Sequence, residues 1–146
     1  MNSKTSVITT AIAMSGLAVS LNVAGAPQMD KGLPAAHTQH DITYLSGGVG
    51  KDEASAIKHV AKFYPLEVEF LRKATPKDEY LASVKVRIKD ARDKMVLNVT
   101  SDGPFLLAKL PAGRYTVSAE SDRVIKTREV DVAPDKHRRL VFEWYS

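Results

Sequence analysis

Leu66-Glu67-Val68-Glu69-Phe70 and Val84-Lys85-Val86-Arg87-Ile88-Lys89 each place an apolar side chain at every second position. Successive side chains of an extended chain point to opposite faces, so this period of two predicts strands with one face in a core and one in water. The outer face of the first stretch is acidic and that of the second basic. If the two are antiparallel neighbours joined across residues 73–79, the charges pair on the solvent side at about 0.2–1 kcal/mol per pair. Such pairing selects a neighbour more than it stabilises a fold.

Downstream, further strands are read at short, regular intervals: residues 95–100, 105–109, 115–120, 124–132 and 138–144. Turn formers separate them at Ala91-Arg92-Asp93-Lys94, Ser101-Asp102-Gly103-Pro104, Pro111-Ala112-Gly113, Ser121-Asp122 and Ala133-Pro134-Asp135. In the last strand Leu140, Phe142 and Trp144 point one way, toward the core, with Arg139 and Glu143 outside. Upstream of Pro65 the period changes. Ile57, Val60, Ala61 and Tyr64 recur at helical spacing, Lys58 and Lys62 lie off that stripe, and Asp52 and Glu53 suit the positive end of a helix over about residues 51–64. Pro65 stops it. The chain is therefore read as mainly β: a Greek-key sandwich of about seven antiparallel strands with one additional N-terminal α-helix, because a sheet with one apolar face must cover it with a second layer.

Residues 1–26 carry one basic residue, Lys4, then a charge-free apolar run over residues 7–23 and the small residues Ala24-Gly25-Ala26. These are the parts of a secretory signal peptide, cut after Ala26 or after Gly25. Residues 27–41 show turn formers without apolar periodicity and are read as a flexible tail, with a short strand from Ile42 and the globular domain over residues 42–146. There is no cysteine, so thiol catalysis, cysteine metal sites and disulfides are excluded. Of 146 residues, 44% are hydrophobic and 26% charged, which fits one globular domain. The formal charge of +4 falls by one when Lys4 leaves with the leader, too small an excess to imply nucleic acid.

Three segments carry a family likeness: Tyr80-Leu81-Ala82-Ser83-Val84-Lys85-Val86, Ser101-Asp102-Gly103-Pro104-Phe105-Leu106-Leu107-Ala108 and Leu110-Pro111-Ala112-Gly113-Arg114-Tyr115-Thr116-Val117. Over about residues 66–144 the chain resembles the carboxypeptidase regulatory-like domains, small transthyretin-like sandwiches found as exported bacterial modules. In the Leu-Pro-x-Gly-x-Tyr-x-Val piece, Pro and Gly build a turn and Tyr115 opens the next strand, with its hydroxyl placed to bond that turn. The resemblance implies a fold rather than a chemistry. Peptidase activity in such enzymes belongs to a separate zinc domain, whose His-x-x-Glu spacing is missing here. The related hydrolases of purine degradation end in Tyr-Arg-Gly-Ser, whereas this chain ends Glu143-Trp144-Tyr145-Ser146. Sandwiches crosslinked between Lys and Asn need an Asn in the last strand, which has none.

The remaining motifs are weak. Ser46-Gly47-Gly48-Val49-Gly50-Lys51-Asp52 is close to a phosphate-binding loop, but Leu45 and Asp52 stand where that motif needs Gly and Ser/Thr, so it is read as a turn into the helix. His37 and His40, followed by Asp41, are the weak candidates for a metal, which needs three or four fixed ligands. No Gly-x-Ser-x-Gly nucleophile elbow occurs. Asn98-Val99-Thr100 is read as strand sequence. Lys136-His137-Arg138-Arg139 is the densest basic run and enters the final strand, where charge commonly blocks strand-on-strand association. With Asp102 and Arg114 in the other turns, these four residues form the candidate binding surface, since loops at a sandwich's ends carry recognition. The expectation is a monomeric, non-catalytic binding or structural module of the bacterial periplasm. It has no cofactor, no nucleic acid and no membrane span after leader removal, and its partner is a protein or envelope component. A small transthyretin-like hydrolase and a periplasmic metal-binding protein are the alternatives.

Overall fold

In the computed structural model, residues 32–146 are described and form ten strands in two sheets with one short helix. The leader and residues 27–31 of the expected tail lie outside the described residues. The strands are β1 (His37–Gln39), β2 (Ile42–Gly47), β3 (Leu66–Lys73), β4 (Glu79–Tyr80), β5 (Lys85–Asp90), β6 (Met95–Thr100), β7 (Phe105–Lys109), β8 (Gly113–Ser121), β9 (Val124–Val132) and β10 (Arg138–Tyr145). One sheet runs β1-β2-β7-β3-β10, with β4 also on β3; the other runs β6-β5-β8-β9. Among the described residues no helix is long and apolar enough to cross a membrane.

The period of two places the apolar sets as expected: Leu66, Val68 and Phe70 from the first sheet and Val84, Val86 and Ile88 from the second strand segment are all fully buried in one cluster. That cluster also takes Val117, Ala119 and Val130 from β8 and β9, so both sheets supply it. Phe70, Phe142 and Trp144 pack with ring centroids 6.3–6.4 Å apart, and the Trp144 indole donates to the Val124 carbonyl at 3.0 Å, tying β10 to the start of β9. The Tyr115 hydroxyl donates to the Pro111 carbonyl at 2.8 Å, bonding its own turn as anticipated.

The neighbour assignment is corrected. β3 and β5 lie in different sheets, so the acidic and basic faces do not meet. The connection between them crosses from one sheet to the other instead of turning back, adding β4 against Leu71 and Arg72 on the way. β3 instead sits between β7, antiparallel, and β10, with which it runs parallel from Arg138↔Leu66 to Tyr145↔Lys73. The strand pairing, expected to be wholly antiparallel, therefore contains one parallel pair, because the chain leaves β9 in one sheet and enters β10 in the other.

Helix α1 (Lys51–Val60) continues as a 3-10 turn, Ala61–Phe63, close to the range anticipated. Its stripe works as read. Ile57 and Ala61 are buried against Leu45, Phe105 and Leu107, with Val60 and Tyr64 packed around them on the first sheet's second face. Full burial of a side chain such as Ile57 contributes about 1.5–3 kcal/mol. The Glu53 carboxylate reaches back to accept the Gly48 N–H at 2.7 Å, holding the glycine-rich entry to the helix. Gly103 is required for another reason: a Cβ there would stand 2.4 Å from the Gly47 backbone.

Order also starts before Ile42, contrary to the tail reading for residues 37–41. β1 pairs with β2 through a two-residue turn at His40 and Asp41, both at positive φ of 47° and 65°, as a primed hairpin turn demands. The Gln39 side chain then spans the two sheets. Its amide donates to the Asn98 carbonyl at 3.2 Å and accepts the Asn98 N–H at 2.6 Å. Urea denaturation of Gln39→Ala is expected to show a loss of about 1 kcal/mol, the net worth of a typical internal hydrogen bond. Gly103→Ala is expected to cost about 1–3 kcal/mol, since the backbones must separate.

Candidate functional site

On the helix-covered face of the first sheet, Glu67 and Glu69 stand beside each other on β3, only 6% and 4% exposed. The sequence reading puts them in water; their burial follows from the interior position of β3, flanked by β7 and β10. A buried carboxylate is tolerated only when cations or N–H donors replace its water. β10 and the turn before it supply them. His137 Nε2 meets Glu67 Oε2 at 2.7 Å, Arg139 Nε lies 3.8 Å from Glu67 Oε1, and the Arg139 guanidinium donates to Glu69. His137 Nδ1 also faces the Tyr64 carbonyl at 2.8 Å, so this ring links the end of the helical segment, β3 and the last turn. A neutral imidazole carries one N–H and can donate only one of those two bonds.

Of the residues proposed as a binding surface, His137 and Arg139 are thus drawn into strand-to-strand pairing. Arg114 Nε bonds Asp131 Oδ1 at 3.0 Å, which holds the Asp131 carboxyl below the usual carboxylate range and the guanidinium above its own. Arg138 Nε donates to the Asp131 carbonyl at 3.2 Å. Lys136 is exposed in the turn before β10. Asp102 lies elsewhere. Its backbone N–H donates to Ser46 Oγ at 2.9 Å, beside Gly47, whereas residues 111–113 and 133–137 sit at the opposite end with Pro65, whose carbonyl accepts the Arg138 N–H at 2.8 Å. The three loops therefore do not form one surface. His37 packs its ring on Tyr44, with centroids 5.5 Å apart, and His40 sits in the hairpin turn. Among the described residues no group of three or more His, Asp or Glu is placed to hold a metal.

A different cluster was missed. Between α1, the segment entering it and β4 lies a recess of about 550 Å³ walled by Lys51, Lys58, Lys77 and Tyr80, with Gly48, Gly50, Ala54 and Ser55. Lys58 Nζ stands 5.8 Å from the centre of the Tyr80 ring and 5.5 Å from that of Phe105. In sequence, Lys51 and Lys58 are two turns apart and share a helix face, which reads as an ordinary solvated face; nothing marks Lys77 and Tyr80 as their companions. Neighbouring recesses of about 530 and 440 Å³ are lined by Asp78, which is paired with Lys73 at 2.7 Å. That contact holds the Asp78 carboxyl low.

Compared with known proteins, the chain matches no family model and no curated sequence.

Two outcomes follow from these pairs. Arg139→Leu strips Glu69 of its cation and is expected to cost about 1–3 kcal/mol in urea denaturation, while the double variant Glu69→Leu/Arg139→Leu costs less, because Glu69 no longer stands as an unpaired buried charge and Glu67 keeps His137. Asp131, whose folded-state pKa is lowered, adds stability above its unfolded pKa that is lost as pH falls through the lowered value. Carboxyl NMR titration is expected to show Arg114→Gln moving Asp131 back toward the ordinary range.

Proposed function

We propose that this chain is an exported β-sandwich acting as a non-catalytic binding or structural module of the bacterial cell envelope, akin to the carboxypeptidase regulatory-like domains it resembles. The observation that carries the reading is the use made of its buried ionisable groups. Glu67 and Glu69 are matched by His137 and Arg139 across two strands, an arrangement that fixes architecture and leaves neither of the two as a free reacting carboxylate. General acid–base chemistry needs such a group within bonding reach of a substrate. The shared core of the two sheets supports the sandwich, and the tight Pro111 to Tyr115 corner supports the likeness in the piece that resembles those domains. Export rests on the leader pattern of residues 1–26.

Cell fractionation tests it. The full chain, carrying a C-terminal tag and produced in a Gram-negative host, is expected in the periplasmic fraction with Ala26 or Pro27 as its first residue by N-terminal sequencing. Recovery in the cytoplasm with Met1 retained would overturn the export reading.

A further inference from the structure

We infer that the recess bounded by Lys51, Lys58, Lys77 and Tyr80 binds a phosphate ester or pyrophosphate-bearing ligand. Three lysines from two separate parts of the chain border one space of about 550 Å³, and no acidic residue belongs to its wall. Arg72, Lys73, Lys85, Lys89, Arg114 and Arg139 each meet an acid within 4.0 Å, while other exposed cations stand singly; what sets this recess apart is that three of them border one space. Among the described residues, Lys51, Lys58 and Lys77 have no such partner. Glu53, on the helix's first turn, is turned to the Gly48 N–H.

Like charges gathered around a concave surface with low-dielectric walls raise the local potential, and an anion entering there relieves their repulsion. Lysine is a point charge with three donors, suited to tetrahedral phosphate from several directions, whereas planar carboxylates are matched best by the guanidinium fork, and no arginine lines this recess. Lys58 is held over two aromatic rings, so its charge is partly placed in advance of binding. The Tyr80 ring, in a residue 54% exposed, gives a flat apolar wall for the organic part of an ester. The mode differs from a phosphate-binding loop, which needs a hydroxyl residue where Asp52 stands; the lysine side chains, rather than a backbone cradle, carry the recognition. The assignment is independent of whether the chain is exported.

The test is an amide NMR titration of the full chain, using inorganic pyrophosphate at constant ionic strength, with citrate as the carboxylate control. Saturable shifts confined to the amides of residues 48–58 and 77–80 are expected, with citrate weaker by tenfold or more. Lys51→Gln/Lys58→Gln/Lys77→Gln should raise the Kd at least tenfold with the spectrum otherwise unchanged, while Lys85→Gln/Lys94→Gln, on the other sheet, should leave it as it was. Linear shifts without saturation, equal affinity for citrate, or equal loss in both lysine variants would overturn the proposal. Sedimentation with phosphatidylglycerol vesicles separates the sources: pyrophosphate-displaceable binding assigns a lipid headgroup, and pyrophosphate binding without vesicle binding assigns a soluble ester.

Discussion

Burial of β3 on both faces is the constraint from which the rest follows. A strand with Leu66, Val68 and Phe70 on one side and Glu67 and Glu69 on the other can be interior only if the two carboxylates are matched where they stand. β10 matches them, and in doing so must lie alongside β3 in a register that brings Arg139 opposite Glu67. A slip by one residue would turn Phe142 and Trp144 out of the core and the arginine into it. The ion pairs thus select an arrangement more than they add stability, since desolvating two charges offsets most of their attraction. Selection matters because a parallel neighbour has no hairpin turn to set its register.

Much of the architecture was legible in the residues. Alternation after Pro65 marks which side chains enter the core, and the stripe from Ile57 to Tyr64 marks the helix, because both depend on local geometry that a short window of sequence contains. Strand partnership does not. A period of two says which way Glu67 points and is silent about what waits there, so the acidic face was read as wet when it is covered. β1 was missed for a related reason: His37-Thr38-Gln39 has no apolar residue to bury, and its value lies in one side-chain amide reaching another sheet. His40-Asp41 is also an unusual pair for a primed turn, where Asn-Gly or Asp-Gly is the common signal.

The candidate site shows the same division. Lys136 to Arg139 stood out as a basic run, yet its members serve different partners: His137 and Arg139 turn inward to β3 while Arg138 reaches the backbone of Asp131. Alternation again explains this, as adjacent residues entering a strand face opposite ways. Lys51, Lys58 and Lys77 are scattered over the sequence and gather only because the connection from β3 to β5 passes beside α1 on its way to the second sheet. The crossover that invalidated the expected hairpin is therefore also what builds the lysine-lined recess.

The Gln39 amide has a consequence beyond joining two layers. β6 borders the second sheet, and a border strand offers unfilled donors and acceptors to any passing extended chain. By occupying both backbone groups of Asn98, a single glutamine imitates the next strand and ends the ladder there. Gln39 thus covers one pair of those groups on β6, and trimming the chain back to Ile42 would bare that pair at the sheet's border.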